Sequence, residues 1–134
     1  MSEPLSGEGS ASAPSTIVVG YSPKPEGRAA LQRAIDEARL RGSSLIVVHS
    51  IAGDEIAALE RELAGSGVPY EIQATSEALD PAEELIAAAS TSDAEFIVIG
   101  LRKRSPVGKL LLGSNAQRVL LDASCPVLAV KPLG

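Results

Sequence analysis

The residues best suited to chemistry lie in one stretch late in the sequence. An apolar run ends at Gly100, three basic residues occupy positions 102–104, and Gly113-Ser114 precedes an amphipathic segment. In a parallel α/β sheet, a strand, a glycine-containing loop and a helix start in this order present backbone N–H groups to an anion. The pattern therefore predicts a module that binds a small anionic molecule.

Most catalytic and metal-binding patterns are missing from the sequence. One His and one Cys cannot form a zinc site, and there is neither a Cys-x-x-Cys redox pair nor a Gly-x-Ser-x-Gly nucleophile elbow. Gly108-Lys109 superficially resembles a Walker A loop, but Lys103 stands at its first glycine and Leu110 at its hydroxyl residue. No Gly-x-Gly-x-x-Gly follows the first strand, which argues against a dinucleotide fingerprint. We expect no efficient catalysis, no catalytic residues and no metal ligands.

Composition favours one α/β domain. The chain has 134 residues, 45% of them hydrophobic and only 2% aromatic, so the core must consist of Val, Ile, Leu and Ala. A net charge of −5 and three aromatic residues, two Tyr and one Phe, argue against nucleic-acid binding. The sequence contains no apolar run of 18 residues, so it predicts no membrane-spanning helix. The absence of a signal-peptide pattern and the single Cys fit a reducing cytoplasm, where we expect the protein.

The elements that must position the glycine-rich stretch alternate along the chain. Residues 1–14 are small and polar and are expected to be a disordered tail, which leaves 15–134 as the domain. Asp80-Pro81-x-Glu83 predicts a helix start with a capping box. Apolar periodicity predicts five strands, at 17–21, 45–49, 69–75, 96–100 and 126–130, and four helices, at 26–41, from 54 to about 64, after Asp80, and at 114–123.

Right-handed crossovers and helices on both faces require the order of such a sheet to reverse once. We therefore predict a three-layer α/β/α fold with an open parallel five-stranded sheet in the order 3-2-1-4-5. A crevice should open outside the carboxyl ends of strands one and four. Its walls would be residues 20–24 on one side and 100–115 on the other.

The same residues resemble those of a known family. Gly100, Gly113 and Ser114, the amphipathic helix after them and the closing Ala-Ser-Cys-Pro-Val-Leu-Ala-Val resemble the universal stress protein family, over residues 16–132. The family's nucleotide motif is Gly, two residues, Gly, nine residues, Gly, then Ser or Thr; Lys103 stands at its second glycine. The resemblance implies the adenine-nucleotide alpha-hydrolase-like fold and a bound adenine nucleotide, with ATP the first candidate.

The resemblance also implies which residues bind the nucleotide. The phosphates would lie against the loop after strand four and the next helix start, and the base beside residues from strands one, two and four. An Asp usually anchors the ribose and the metal two residues after Gly20; Ser22 stands there, so a Mg²⁺ ion is doubtful. The predicted nucleotide-binding residues are Gly20, Tyr21, Ser22, Ser50, Ile99, Gly100, Lys103, Gly113, Ser114 and Asn115.

Several of these residues have a second interpretation. Lys103 either obstructs phosphate approach or pairs with phosphate as a point charge. The alternative role of Gly20 is in backbone geometry at a strand end. Ser114 also begins Ser-x-x-Gln, a capping box that would use its hydroxyl for its own helix. His49 is expected to be a structural hydrogen-bonding residue and Cys125 a buried core thiol.

The last strand predicts a partner. An uncovered apolar edge strand would be a site for aggregation. Members of the family commonly pair this edge in a two-fold dimer. We expect an antiparallel homodimer through Val127, Leu128, Ala129, Val130 and Lys131. Lys131-Pro132 could instead protect the edge of a monomer.

Two functions from different classes follow. The first is a cytoplasmic stress-response or signalling module that binds an adenine nucleotide. The alternative is a dimeric interaction module of the same fold that has lost nucleotide binding. A slow ATPase ranks third, because no catalytic base is identifiable.

Overall fold

The structure is a computed structural model that describes residues 15–76, 79–104 and 109–132, with the backbone alone at 103–104 and 109–111. The predicted disordered tail lies outside the described residues. The elements in chain order are β1 (Thr16–Tyr21), α1 (Pro25–Arg41), β2 (Ser44–His49), α2 (Asp54–Ala64), β3 (Tyr70–Ala74), α3 (Pro81–Ser92), β4 (Phe96–Gly100), β5 (Arg102–Arg104), β6 (Lys109–Leu111), α4 (Ser114–Asp122) and β7 (Val127–Val130).

The main sheet has five parallel strands in the order β3-β2-β1-β4-β7. Because β7 is the fifth strand of the prediction, the predicted order 3-2-1-4-5 is confirmed. β1 and β4 pair from Ile17 with Phe96 to Val19 with Val98. The strand order therefore reverses between these two neighbours, and a crevice can open beyond their carboxyl ends.

Side-chain alternation along the strands divides the core into two halves. Ile17 and Val19 of β1 pack in the cluster that contains residues of α1 and α2. Val18, between them, packs with α3 and with Val119 of α4. Because successive strand residues point to opposite faces, the sheet is covered on both sides and the three-layer prediction is confirmed.

Local sequence explains where the helices begin and end. α1 ends at Gly42, whose φ of 69° is in the left-handed region that glycine tolerates. At the start of α3, the backbone N–H of Glu83 donates to Asp80 Oδ1 over 2.9 Å, and the N–H of Asp80 donates to Glu83 Oε1 over 3.2 Å. The predicted capping box at Asp80 is therefore present.

The capping box predicted at Ser114 is wrong. The N-cap of α4 is Gly113, which makes no side-chain cap hydrogen bond, and its carbonyl accepts from the N–H of Gln117 over 3.0 Å. Ser114 is thus the first helical residue, one position too late for its hydroxyl to cap the helix.

The stretch predicted as a basic loop contains two short strands. β5 and β6 pair antiparallel, with Arg102 opposite Leu111 and Arg104 opposite Lys109. Three consecutive basic residues have low strand propensity, so the local sequence gives no indication of this pairing. Among the described residues, no helix is both long and apolar enough to cross a membrane.

The packing of α1 onto the sheet yields a stability prediction. Leu31 is 0% exposed, whereas Leu40 on the same helix is 81% exposed. Leu31→Ala should lower the free energy of unfolding by about 2–5 kcal/mol, because it removes buried methyl groups and leaves a cavity. The matched control Leu40→Ala should change it by no more than about 0.5 kcal/mol. Urea denaturation followed by circular dichroism measures both, and equal losses would contradict the assigned packing.

Candidate functional site

A pocket lies where the fold predicts it, beyond the carboxyl ends of β1 and β4. Its volume is about 280 Å³, close to the lower end for small-molecule sites. Nine of the ten predicted nucleotide-binding residues line it: Gly20, Tyr21, Ser22, Ser50, Ile99, Gly100, Gly113, Ser114 and Asn115. The tenth, Lys103, has its backbone in β5, and its side chain lies outside the described part of the chain. Its role stays a prediction.

Two glycines allow the wall beside α1 to close tightly. A Cβ atom on Gly100 would overlap the carbonyl oxygen of Glu26 and lie 2.6 Å from its carbonyl carbon. A Cβ atom on Gly27 would overlap the backbone and hydroxyl of Ser22. Real Cβ atoms do not approach backbone this closely, so glycine is required at both positions. The strand tip and the first turn of α1 therefore meet without intervening side chains.

The sequence reasoning missed two charged residues of the pocket, Glu26 and Arg102. Arg102 Nε lies 3.7 Å from Glu26 Oε2; the Arg102 side chain is 58% exposed and that of Glu26 20%. A Cβ atom on Gly113 would lie 3.3 Å from a terminal nitrogen of Arg102. Arg102 therefore extends between α1 and the start of α4. Its position two residues after Gly100, in the basic run 102–104, was the available indication, whereas the family motif points to Lys103.

The pocket also has an apolar wall. Val48, Leu85, Ile99 and Val119 contribute to its lining and are buried. A Cβ atom on Gly20 would lie 3.2 Å from Leu85 Cδ1, so the missing side chain leaves room for α3 to approach. The pocket thus combines an apolar wall with a polar end at α4, as a heterocyclic ring joined to an anionic group would require.

Tyr21 is held at the pocket by a chain of contacts. Its hydroxyl accepts a hydrogen bond from Arg28 Nη1 over 3.2 Å, and Arg28 Nη2 donates to Glu62 Oε1 over 3.3 Å. The nearby carboxylate of Glu62 raises the pKa of Arg28. α2 therefore fixes the position of an aromatic side chain that lies beside the predicted base site.

His49 also lines the pocket, and its contacts are structural. The side chain is 3% exposed, and Nδ1 accepts from the N–H of Ile51 over 3.1 Å. The N–H of Thr75 donates to the His49 carbonyl over 2.7 Å. These bonds secure the turn after β2, as the sequence predicted for this residue.

The start of α4 supplies the anion-binding end. The first amide N–H groups of an α-helix have no intrahelical partners, and in α4 no side chain of the N-cap Gly113 bonds to them. These groups and the helix dipole favour negative charge. Arg102 lies beside them. The polar end of the pocket can therefore accept phosphate oxygens.

Cys125 is half-buried rather than fully buried, and it packs against the cluster shared by α3 and α4. Burial raises the pKa of its thiol, which lowers the thiolate fraction at neutral pH. Among residues 15–76, 79–104 and 109–132, no group of three or more His, Cys, Asp or Glu side chains could hold a metal ion.

β7 forms one border of the sheet. All four of its residues are half-buried, and within the described chain it pairs only with β4. Ile97 N–H donates to the Pro126 carbonyl and Leu101 N–H to that of Val130, so even-numbered residues of β7 bond to β4. The backbone groups of Val127 and Ala129 point outward and are open to pairing.

Comparison with known proteins agrees with this architecture. The model of the universal stress protein family matches residues 14–78 and, in an overlapping match, 52–131. A universal stress protein of Mycolicibacterium smegmatis is 50% identical over 129 residues, covering 88% of this chain and 98% of the relative. The chain belongs to the universal stress protein family.

Two solved structures of universal stress proteins contain nucleotides. One from Archaeoglobus fulgidus in complex with dAMP is 28% identical, with a TM-score of 0.62 over 89% of this chain and 98% of the other. Another, in complex with cAMP, is 26% identical, with a TM-score of 0.69 over 90% and 98% of the two chains. Both share the fold of this universal stress protein.

The contact between Gly100 and α1 gives a second prediction. Gly100→Ala should destabilise the protein by about 1–3 kcal/mol, because the new methyl group must push the first turn of α1 away. Gly65→Ala is the matched control, since its Cβ would meet nothing closer than 3.5 Å. Thermal unfolding of both variants provides the measurement. A Gly100→Ala protein as stable as the control would show that the contact is not a constraint.

Proposed function

We propose that this universal stress protein binds an adenine nucleotide, ATP or another, in the pocket between β1 and β4 and acts as a stress-response or signalling module. The single observation that carries the proposal is the convergence of nine predicted residues, from four separate segments of the chain, on one pocket. The relatives that contain dAMP and cAMP support an adenine nucleotide as the ligand class.

The chemistry of the pocket supports one orientation of the ligand. The phosphate would accept hydrogen bonds from the start of α4 and from Arg102, while the base would lie toward Tyr21 and Ile99. Ser22 can offer a hydroxyl to the ribose but no charge to a metal ion, so we propose binding that does not depend on Mg²⁺.

Ser114 offers a test that separates binding from folding. Ser114→Asp places a carboxylate at the first position of α4, where it stabilises the helix dipole but repels a phosphate. ATP and AMP should bind at least about tenfold more weakly, adenosine should be unaffected, and the melting temperature should not fall. Ser114→Ala is the matched control, with a smaller loss for the phosphorylated ligands.

Isothermal titration calorimetry, with and without Mg²⁺, provides the affinities. Absence of binding by ATP, ADP and AMP to the unaltered protein at millimolar concentration would reject the proposed function. Lys103→Glu belongs in the same series: weaker binding would assign phosphate pairing to Lys103, and no change would make it a surface residue.

We propose a binding module rather than an enzyme, because none of the described residues that line the pocket is identified as a catalytic base. A slow ATPase remains the alternative for the same site. Phosphate release no faster than in buffer would remove that alternative. We also propose a cytoplasmic location, on the evidence of the sequence.

A second candidate function, an interaction module that acts through a homodimer, is favoured by the open edge of β7. Val127, Leu128, Ala129, Val130 and Lys131 would pair with their copies in an antiparallel arrangement. Leu120 of α4 is 39% exposed and, by helical spacing, lies on the flank away from the ion-paired Arg118, which faces α3. An apolar side chain on that flank supports burial against a second copy.

Ala129→Pro tests the dimer without attacking the sheet itself. Residue 129 directs its N–H away from β4, so proline removes a donor only from the outer edge. The variant should sediment as a monomer while retaining its circular dichroism spectrum, and Ala129→Ser should remain dimeric. A monomeric unaltered protein would reject the dimer and favour edge protection by Lys131-Pro132.

A further inference from the structure

We propose that Glu26 is a specificity-determining residue that competes with the ligand's phosphate for the guanidinium of Arg102. The inference rests on the proposed function, because it concerns how strongly the same pocket accepts ligands of different charge. It assigns to an acidic side chain a role that opposes the anion affinity of the site.

The position of Glu26 is fixed by its backbone. Its carbonyl group packs directly against Gly100 at the tip of β4, which places the first turn of α1 at the edge of the pocket. The side chain is only 20% exposed and also lines the pocket. A carboxylate is therefore present in the part of the pocket that Arg102 also lines.

Arg102 can serve either of two acceptors. It faces the Glu26 carboxylate on one side, and its terminal nitrogen lies near Gly113, the N-cap of α4, on the other. The 3.7 Å between Arg102 Nε and Glu26 Oε2 exceeds the roughly 2.7–2.9 Å of a short charge-assisted hydrogen bond. The pair is loose, and because the Arg102 side chain is 58% exposed, solvent weakens it further. A phosphate bound at α4 can therefore draw the guanidinium away.

Charge decides how much each ligand loses to this competition. Among the described residues that line the pocket, Arg102 is the arginine and Glu26 the carboxylate, so their formal charges cancel. A triphosphate gains more from pairing with the Arg102 guanidinium than a monophosphate does, and a nucleoside gains nothing from it. The penalty from Glu26 should therefore rise from adenosine through AMP to ATP. Glu26 would lower the affinity for ATP more than the affinity for AMP, and so reduce any preference for ATP over AMP.

Neutralising Glu26 tests the proposal directly. Glu26→Gln keeps the size of the side chain and removes its charge. Calorimetry at physiological salt should show ATP binding about 3- to 10-fold tighter, AMP binding tighter by a smaller factor, and adenosine within about twofold of the unaltered protein. Glu26→Ala should give the same order of effects, which provides a second variant if the glutamine protein is unstable.

The matched control is Glu37→Gln on the same helix. Glu37 also pairs with arginines, Arg33 and Arg41, whose hydrogen bonds lower its pKa. Glu37 lies eleven positions after Glu26, about 16 Å along the helix axis, which exceeds the roughly 8 Å Debye length at physiological salt. This variant changes the net charge equally and should leave all three affinities unchanged.

A double-mutant cycle with Arg102→Gln separates competition from simple repulsion. Arg102→Gln alone should weaken ATP and AMP but not adenosine. Adding Glu26→Gln to it should recover little, because no guanidinium is left to release. A full gain from Glu26→Gln in the Arg102→Gln protein would overturn the competition and leave direct repulsion.

Two further results overturn the inference. Weaker adenosine binding by Glu26→Gln would make Glu26 a direct acceptor for the ribose hydroxyls. Unchanged affinities for all three ligands would remove any role for Glu26 while leaving the proposed function intact. If neither the unaltered protein nor Glu26→Gln binds any of the three ligands, the proposed nucleotide function itself fails.

Discussion

Parallel pairing of β1 with β4 is the constraint on which the pocket depends. The two strands are far apart in sequence, and their parallel pairing brings the carboxyl end of β1 beside the carboxyl end of β4. α1 leaves β1 on one face of the sheet, whereas α4 follows β4 on the opposite face. The connections diverge at this point, and the space between them is the pocket. Residues from both halves of the chain line the pocket because this pairing brings the carboxyl ends of β1 and β4 together.

The helices and strands could be predicted from the sequence because each is indicated by residues within or next to it. Apolar runs such as 96–99, capping residues such as Asp80 and the glycine at 42 identify elements without knowledge of their neighbours. Strand order then follows from the handedness of crossovers, which is a general property of α/β sheets. The pocket was predicted at the ends of these elements, which is where Gly20, Gly100 and Gly113 lie.

What could not be predicted depends on contacts between distant residues. The pairing of β5 with β6 occurs despite the low strand propensity of the basic residues in β5, so the local sequence does not predict it. The ion pair between Glu26 and Arg102 joins the first turn of α1 to a residue of β5. The helix begins at Ser114 as predicted, but its N-cap is Gly113 and not Ser114, because Ser and Gly are both favourable N-caps. Each error concerns a choice that tertiary structure makes between locally similar alternatives.

The close packing of Ser22 against Gly27 has a consequence for the history of the pocket. Any side chain at position 27 would collide with the backbone of residue 22 as well as with its hydroxyl, so the turn that leads into α1 requires glycine at 27 whichever residue stands at 22. A relative that carries a larger residue at position 27 must therefore trace that turn differently. Divergence can change the chemistry at position 22 more readily than it can change the glycine at position 27.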